Sequence, residues 1–540
     1  MSQVKSFLRK VARAPFWQRY PLPFALAFAV CAALTIHAHY TYPFWPGQDD
    51  NYDKYCSMVV ARMGADPAIG ALYQPMQLWH SQTLLYLVSG TLGHVMEPVS
   101  AMRLTYVCFA FLGTPLVTAW ILVQERRSPW GALLAFPLAY GRMWSFGFLK
   151  FSAAAPFFLL TLFTFVLIFR TPRPTWRHAL GYALSVWLLW TSHTQVFAFT
   201  GALLAVAWVA FLLHRMNGWL AVAPSKTSPR VFAMQTAVAG VASVPVLVSF
   251  YAWYRDTQTR LGGLSEAGRW KAGLFGTLDE KFRAMLLLVQ VTKLDDEQLQ
   301  TVWLIGLALL CVALRKLGSR DRSPLPELFF ALTAFSYFLL PREVSASNVG
   351  NQLVAPRHVD IALWLLPLLV APALFARHKL ASLAGVLLIG RFTVMRLALL
   401  FGALRGLNEG DMKGLDAIVS QAPDGHLRIT QVTFGEQSSK EWFAFTFEQN
   451  YAYVAARKGY EAPVYDTRVR AMEVRYKDAP PSPPTIMVND ATWWKRPDVL
   501  ANFDLVLTFR YHPTTDTRLA MDATFRTVGR AGEWELWQRK

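Results

Sequence analysis

Two adjacent carboxylates, Asp49 and Asp50, begin a segment in which apolar side chains recur at the spacing of one helix face. The apolar residues of this face are Tyr52, Tyr55, Cys56, Val59, Val60 and Met63. Exposed backbone N–H groups and the helix dipole favour acids at a helix start. A carboxylate can also accept a proton from an attacking group within about 2.6–3.2 Å. Taken alone, the pair is explained by helix capping, with a general base as the alternative.

Basic and imidazole side chains recur near the ends of apolar runs, where they could bind an anion. Arginine binds oxyanions in a bidentate way, whereas lysine acts as a point charge. For each of them alone, a side chain that reaches from the membrane toward headgroups is an equally good explanation. The candidates are His80, Arg103, Arg142, Lys150, His193, Arg357 and His358.

The composition identifies the kind of chain that carries these residues. Of 540 residues 54% are apolar, and only 16% are charged, against about 25% in ordinary soluble domains. The apolar content excludes a disordered chain, and only four cysteines exclude a disulfide scaffold. We therefore expect an α-helical polytopic membrane protein.

The charge distribution predicts two domains. The chain has a net charge of +18, yet residues 405–540 contain 18 basic and 18 acidic residues, so the whole surplus lies in residues 1–404. We expect a transmembrane domain over 1–404 and a small α/β domain over 405–540. The strands expected in the second domain are Leu427 to Phe434, Thr485 to Val488, Leu505 to Phe509 and Glu533 to Gln538; its expected helices are Lys413 to Gln421 and Gln449 to Lys458.

About eleven apolar segments could cross a membrane. They are Leu22 to Tyr42, Leu104 to Val123, Trp130 to Tyr140, Pro156 to Ile168, Ala179 to Trp190, Val196 to Leu213, Val231 to Tyr251, Val302 to Leu314, Leu328 to Leu340, Ile361 to Ala376 and Leu380 to Leu404. With the N-terminus inside, each even-numbered loop carries a basic cluster, as the positive-inside bias requires. The C-terminal domain is then extracytoplasmic.

This count treats the stretch from Leu78 to Met96 as a surface segment, because seven polar or glycine residues dilute it. If it crossed instead, a later segment would have to be re-entrant. With this stretch on the surface, residues 45–103 form a long first outer loop, whose amphipathic helix should lie flat at the interface. A second surface helix is expected between Phe275 and Val291.

Within this loop the pattern becomes specific. The run from Gln48 to Tyr52, an amphipathic helix, the run from Tyr73 to His80, a surface helix ending near Gly93 and then Arg103 opening a span resemble the GT-C superfamily of membrane glycosyltransferases. The branch that it resembles contains protein O-mannosyltransferases and lipid A aminoarabinose transferases. The resemblance implies transfer of a sugar from a polyprenyl-phosphate carrier to an extracytoplasmic glycan, lipid or protein, at a bacterial-type inner membrane.

The resemblance also implies roles for individual residues. Asp49 is expected to be the general base, and Asp50 to orient it or to contact substrate. Basic residues that face outside are expected to bind the lipid phosphate, with His80 and His193 as further candidate substrate contacts. The turn from Gly141 to Ala154, where some relatives carry metal-binding acids, contains none and has Arg142 and Lys150 instead. We therefore expect neither a metal nor another cofactor.

Two other functions are compatible with a polytopic bundle. A transporter or flippase is disfavoured because coupled carriers need intramembrane carboxylates, which are missing here. A non-catalytic scaffold with an outer binding domain is the other alternative.

Arg391 and Arg396 lie inside the last span, and no carboxylate in a span is clearly placed to pair with Arg391. Nothing in the sequence indicates a nucleic-acid partner.

Added chelator should leave the rate of sugar transfer by the purified protein within about twofold, because basic side chains neutralise the leaving phosphate. Transfer is measured before and after EDTA, with magnesium and manganese added back. Loss of transfer on chelation, with recovery on either metal, would show that this prediction is wrong.

Overall fold

The computed structural model describes residues 21–47, 50–74, 76–77, 79–125, 127–217, 228–260, 271–272, 277–288, 291–292, 296–297, 299–300, 302–306, 324–340, 344–346, 349–351, 354–370, 379–433, 450–462, 477, 502–510 and 522–540. Within these ranges six helices are long and apolar enough to cross a membrane: Leu22–Thr41, Pro98–Gln124, Leu149–Arg170, Thr194–His214, Pro229–Asp256 and Leu383–Glu409. A shorter apolar helix covers Leu325–Leu339. The molecule is thus built as a polytopic membrane protein.

The first half of the chain contains twelve of the helices described. They are α1 (Pro21–Thr41), α2 (Asp50–Arg62), α3 (Pro67–Leu72), α4 (Leu84–Leu92), α5 (Pro98–Tyr106), α6 (Thr114–Gln124), α7 (Ala135–Leu138), α8 (Arg142–Ser145), α9 (Leu149–Ala153), α10 (Ala155–Arg170), α11 (Trp176–Ser192) and α12 (Thr194–Asn217). A π-helical segment, Val107–Gly113, joins α5 to α6, so the two form one continuous helical rod.

The second half adds the remaining spans and the C-terminal elements. Its helices are α13 (Pro229–Arg260), α14 (Leu278–Leu288), α15 (Leu325–Leu339), α16 (Val354–Val370), α17 (Lys379–Glu409), α18 (Leu415–Gln421) and α19 (Asn450–Lys458). A small antiparallel sheet of outer-loop strands has the order β1 (Lys271–Ala272), β2 (Val344–Ala346), β3 (Val349–Asn351).

Most predicted spans are confirmed as helices, but the segment from Trp130 to Tyr140 is not one regular α-helix. It consists of a 3₁₀ turn, Pro129–Leu134, followed by the short α7, and both are buried. Proline lacks a backbone N–H and clashes with the preceding turn, and Pro137 lies inside this segment. The predicted segments from Val302 to Leu314 and from Ile361 to Ala376 are helical as far as residues 306 and 370, and their remainders lie outside the described residues.

The stretch from Leu78 to Met96 does not form a spanning helix. Its helix, α4, has nine residues, or about 14 Å at 1.5 Å per residue, whereas a bilayer core is about 30 Å thick. It packs against α2 and α5. The segment from Phe275 to Val291 contains the helix α14, and its place at the membrane surface stays a prediction.

The amphipathic helix α2 differs from its prediction. We expected it to lie flat at the interface with one apolar face covered, but eleven of its thirteen residues are buried, including the polar Asp53, Lys54 and Ser57. The reason is that three helices pack against it: α4, α5 and, from the C-terminal segment, α19. The helix therefore lies inside the protein.

The C-terminal residues form a four-stranded sheet in the order β4 (Ile429–Thr433), β5 (Leu505–Phe509), β7 (Trp534–Arg539), β6 (Phe525–Ala531). The pair β4–β5 is parallel, and the other two pairs are antiparallel. Three predicted strands and both predicted helices are confirmed, while Thr485 to Val488 lies outside the described residues. Strand β6 was missed because Arg526, Gly529 and Arg530 dilute its apolar residues.

The domain boundary expected at Arg405 falls within α17, which continues to Glu409. Arg405 pairs with Glu409 one turn further on, on the exposed surface of this helix. The last predicted span is thus joined to the C-terminal segment by continuous helix. The division into 1–404 and 405–540 stays a prediction.

Two glycines bring the first outer loop against the outer turn after α8. A Cβ atom at Gly47 would overlap the Cα atom of Gly147. We expect Gly47→Ala to lower the Tm of the purified protein, because overpacking costs about 1–3 kcal/mol when backbone must move. Gly181→Ala is the matched control, since a Cβ there would meet nothing within 4 Å. Equal Tm values for the two variants would contradict the close crossing.

Candidate active site

The start of α2 carries a buried ion pair. The Nζ atom of Lys54 donates to Oδ2 of Asp50 at 2.5 Å and to Oδ1 of Asn51 at 3.3 Å. Asp50 is 1% exposed, and Lys54 is fully buried. Burial raises the pKa of Asp50, against the opposing effect of Lys54, and the same burial lowers the pKa of Lys54. The adjacent Asp49, predicted to be the base, lies outside the described residues.

A second cation close to α2 is Lys150, which belongs to the segment from Gly141 to Ala154. The Nζ atom of Lys150 lies 3.9 Å from Oδ1 of Asp53, and the hydroxyl of Tyr86 donates to that same oxygen. The ammonium also lies 5.1 Å from the ring centroid of Tyr86 and 5.6 Å from that of Tyr52. These contacts place the predicted Lys150 one helical turn from Asp50. Asp53 was not predicted as a site residue, although its spacing of three from Asp50 was a usable signal.

Arg357 and His193 lie close together, because both side chains contact Phe151. The guanidinium of Arg357 donates to Oε1 of Gln195 at 2.5 Å and lies 4.9 Å from the ring centroid of Phe148. His193 packs edge-on against Phe151, which the same guanidinium also approaches. Burial lowers the pKa of His193 well below its usual value, and the positive charges of Arg357 and Lys150 lower it further. His193 is therefore a neutral imidazole beside two cations.

His80 contacts a different helix. Its Nε2 atom lies 3.0 Å from Oδ2 of Asp256, near the end of α13. The neighbouring Ser81 donates to the carbonyl of Trp190 at 3.1 Å and hydrogen-bonds with Thr194. The turn that carries His80 is thus fastened beside His193. Its carboxylate partner lies about 180 residues away in sequence, so no local pattern indicated it.

Arg103 is placed between α5 and the end of α1. It donates to the carbonyls of His39 and Tyr40, which belong to the last turn of α1 and have no partner within that helix. Its positive charge also acts on Asp50 and Lys54. Its contacts are those of a helix cap that lends positive charge to the buried pair.

Arg142 and His358 are held by polar contacts of their own. The backbone N–H groups of Arg142 and Met143 donate to Asp360 at 3.2 and 2.9 Å. His358 hydrogen-bonds through Nδ1 with the hydroxyl of Ser336 at 2.7 Å and lies against α15. Asp360 is 1% exposed and was missed by the sequence analysis, although an acid directly before a predicted span on its outer side was a signal.

Tyr106 marks the place where these elements meet. Its hydroxyl interacts electrostatically with three carboxylates: Asp50, Asp53 and Asp360. Direct contacts link the same elements: the backbone N–H of Met143 donates to Asp360 of α16, and the ammonium of Lys150 lies near Asp53 of α2. Among the described residues no three His, Cys, Asp or Glu side chains come together as ligands for a metal ion.

Arg396 has a buried partner that the sequence did not reveal. It pairs with Glu297, whose carboxylate also accepts the backbone N–H groups of Val291 and Thr292 at 2.6 Å each. Both members of the pair are nearly inaccessible to solvent. Since Glu297 comes from an outer loop and not from a span, the search among spans could not find it. Arg391 is exposed on α17.

Replacing Lys54 by Met should destabilise the protein by about 3–5 kcal/mol, because Asp50 would be left as an uncompensated buried charge. The double variant Lys54→Met with Asp50→Asn should recover most of this loss. Thermal unfolding of the purified protein measures both effects. If the double variant is as unstable as Lys54→Met alone, the ion pair does not govern this part of the fold.

The fold is similar to that of a solved membrane protein. The crystal structure of ArnT from Cupriavidus metallidurans bound to undecaprenyl phosphate matches with a TM-score of 0.55 at 12% identity, over 95% of this chain and 97% of that chain. The apo structure of the same protein matches over the same shares at 13% identity and a TM-score of 0.38. No protein-family model and no curated protein sequence matches this chain. The resemblance expected from the first outer loop is thus confirmed as a likeness of fold: the chain is an integral membrane protein with an ArnT-like architecture.

Proposed function

We propose that this protein is a membrane glycosyltransferase, which transfers a sugar from a polyprenyl-phosphate donor to an extracytoplasmic acceptor. The observation that carries the proposal is the likeness of fold over 95% of the chain to ArnT, a protein solved with undecaprenyl phosphate bound. Fold alone does not imply function. Further support comes from the buried contacts that pair Asp50 with Lys54, Asp53 with Lys150, and Asp360 with the backbone N–H groups of Arg142 and Met143.

Asp49 is proposed as the general base. A sugar on a lipid phosphate already has a good leaving group, so one carboxylate suffices, in contrast to the two that glycosidases need. The base accepts the proton of the attacking acceptor atom while the anomeric carbon bonds to that atom. The bond from the sugar to the phosphate breaks, and its electron pair leaves with the phosphate. Asp50, which is paired with Lys54, holds the start of α2 and orients its neighbour.

The departing phosphate requires fixed positive charge. Lys150 and Arg357 are proposed as the anion contacts: the ammonium of Lys150 lies near Asp53 of α2, and the guanidinium of Arg357 approaches Phe151, against which His193 packs. His193, as a neutral imidazole, can donate a hydrogen bond there. Among the other candidates, Arg103 donates to backbone carbonyls, His80 lies against a carboxylate and His358 bonds with a hydroxyl, while the backbone N–H of Arg142 donates to Asp360. We place them in support of the site's shape.

The proposed location is a bacterial-type inner membrane, with the N-terminus cytoplasmic and the C-terminal domain extracytoplasmic. This orientation follows the positive-inside distribution of the basic clusters. The partners are then a polyprenyl-phosphate-linked sugar, membrane lipids, and a glycan, lipid or protein acceptor. A transporter or a scaffold would be left as the alternative if no transfer were found.

Asp49→Asn should reduce the rate of transfer by about 10²–10⁴-fold, the usual contribution of a general base, while the Tm of the protein stays unchanged. The acceptor is first identified by comparing the masses of envelope lipids, glycans and proteins from cells with and without the protein. A missing sugar mass names both donor sugar and acceptor for the assay.

Asp279→Asn is the matched control, because Asp279 also begins an outer-loop helix and pairs only with the exposed Arg283 among the contacts described for it. It should transfer at the wild-type rate. Wild-type turnover by Asp49→Asn would contradict the role of this carboxylate. An envelope with no sugar difference would contradict the transferase itself.

A further inference from the structure

The C-terminal domain reaches the start of α2 through one buried hydrogen bond. The Nδ2 atom of Asn51 donates to Oδ1 of Asn450 at 2.7 Å. Asn51 is 3% exposed and Asn450 is fully buried. A buried amide pair of this kind has a defined geometry, because an unpaired buried amide costs free energy. Asn51 follows Asp50 directly, so this bond acts on the backbone that presents the acidic pair.

The same helix of the C-terminal domain also surrounds Lys54. The Nζ atom of Lys54 lies 5.7 Å from the ring centroid of Tyr453. It also lies 5.3 Å from the ring centroid of Trp45, which precedes α2. The hydroxyl of Tyr453 donates to Oδ1 of Asp416 at 2.6 Å, and the charge of Asp416 acts on Lys54. The environment of the cation that pairs with Asp50 is therefore built partly from the C-terminal domain.

These contacts are firmly anchored on the domain side. The backbone N–H of Tyr451 donates to Oε1 of Gln431 on β4 at 2.9 Å, which fixes the start of α19 to the sheet. One turn along α2, the hydroxyl of Tyr55 accepts the backbone N–H of Ala462 at 3.0 Å. At the end of α2, a Cβ atom at Gly459 would overlap the guanidinium of Arg62. The domain thus follows α2 along its length.

We propose that Asn450 and Tyr453 are positioning residues, through which the C-terminal domain holds α2 and its buried Asp50–Lys54 pair in the geometry needed for transfer. This inference rests on the proposed function, and it assigns the C-terminal domain to the assembly of the site. The domain then does more than bind an acceptor or cover a cavity. A displacement of about 1 Å at the reacting carboxylate is enough to lower a rate about 100-fold.

Asn450→Ala in the full-length protein in lipid nanodiscs tests the proposal. We expect backbone amides of residues 50–62 to exchange with deuterium at least about fivefold faster, because α2 loses a buried anchor. We expect kcat to fall about tenfold or more with the donor and acceptor identified above, while KM for the donor stays within about twofold. The affinity for undecaprenyl phosphate, used as the binding probe, should also stay within about twofold.

Four further variants test the proposal more closely. Lys458 lies on the same helix, and it pairs with Asp424 inside the C-terminal domain. The variant Lys458→Ala should therefore match the wild type in every measurement. The double variant Asn51→Ala with Asn450→Ala should be no slower than either single variant, since the two residues act through one bond. Tyr453→Phe, which keeps the ring over Lys54, should lose less activity than Tyr453→Leu.

Wild-type exchange and wild-type kcat in Asn450→Ala would overturn the proposal. Faster exchange throughout the protein, with equal losses of kcat and phosphate-lipid affinity, would overturn it as well, because that pattern is a general loss of structure. If the wild type transfers no sugar, the proposed function fails. Exchange over residues 50–62 then still decides whether the domain anchors α2.

Discussion

A carboxylate buried at the start of α2 is the constraint on which the packing around this helix depends. Taking Asp50 out of water costs several kcal/mol unless an opposite charge and hydrogen bonds accompany it. Lys54, four residues later on the same helix, supplies that charge. Because the pair is nearly inaccessible to solvent, every element that covers it must present groups that fit. Arg103, Trp45 and the C-terminal helix α19 do so.

The same rule repeats around this pair and gives the region its electrostatic character. Asp53 is met by Tyr86 and Lys150, and Asp360 is met by two backbone N–H groups of the outer turn. Buried groups of this kind are already oriented before substrate arrives, so they need no rearrangement when charge develops in a reaction. Buried charges elsewhere among the described residues are paired in the same way, as Arg396 is with Glu297 and Arg170 is with Glu125.

Prediction succeeded wherever a local pattern was enough. Long apolar runs identified the spans, and a short strand-like run identified Leu505 to Phe509 as a strand to the residue. It was wrong where neighbours in space decide the outcome. The helix α2 was expected at the membrane interface because its apolar stripe covers only one face, but α19, about four hundred residues later, buries the other face. The partners of His80 and Arg396 were missed for the same reason, since they lie about 100 to 180 residues away.

The sequence by itself determined that this is a polytopic membrane protein with a small α/β C-terminal segment, and it predicted candidate chemistry in residues 45–103. Hydropathy, charge bias and residue spacing are local properties, and they can be read without knowing the fold. Only the tertiary structure decided which cation meets which carboxylate. Coulomb and hydrogen-bond energies depend on distance in space and on burial, and the chain order of Lys150, Arg357 and Asn450 contains neither.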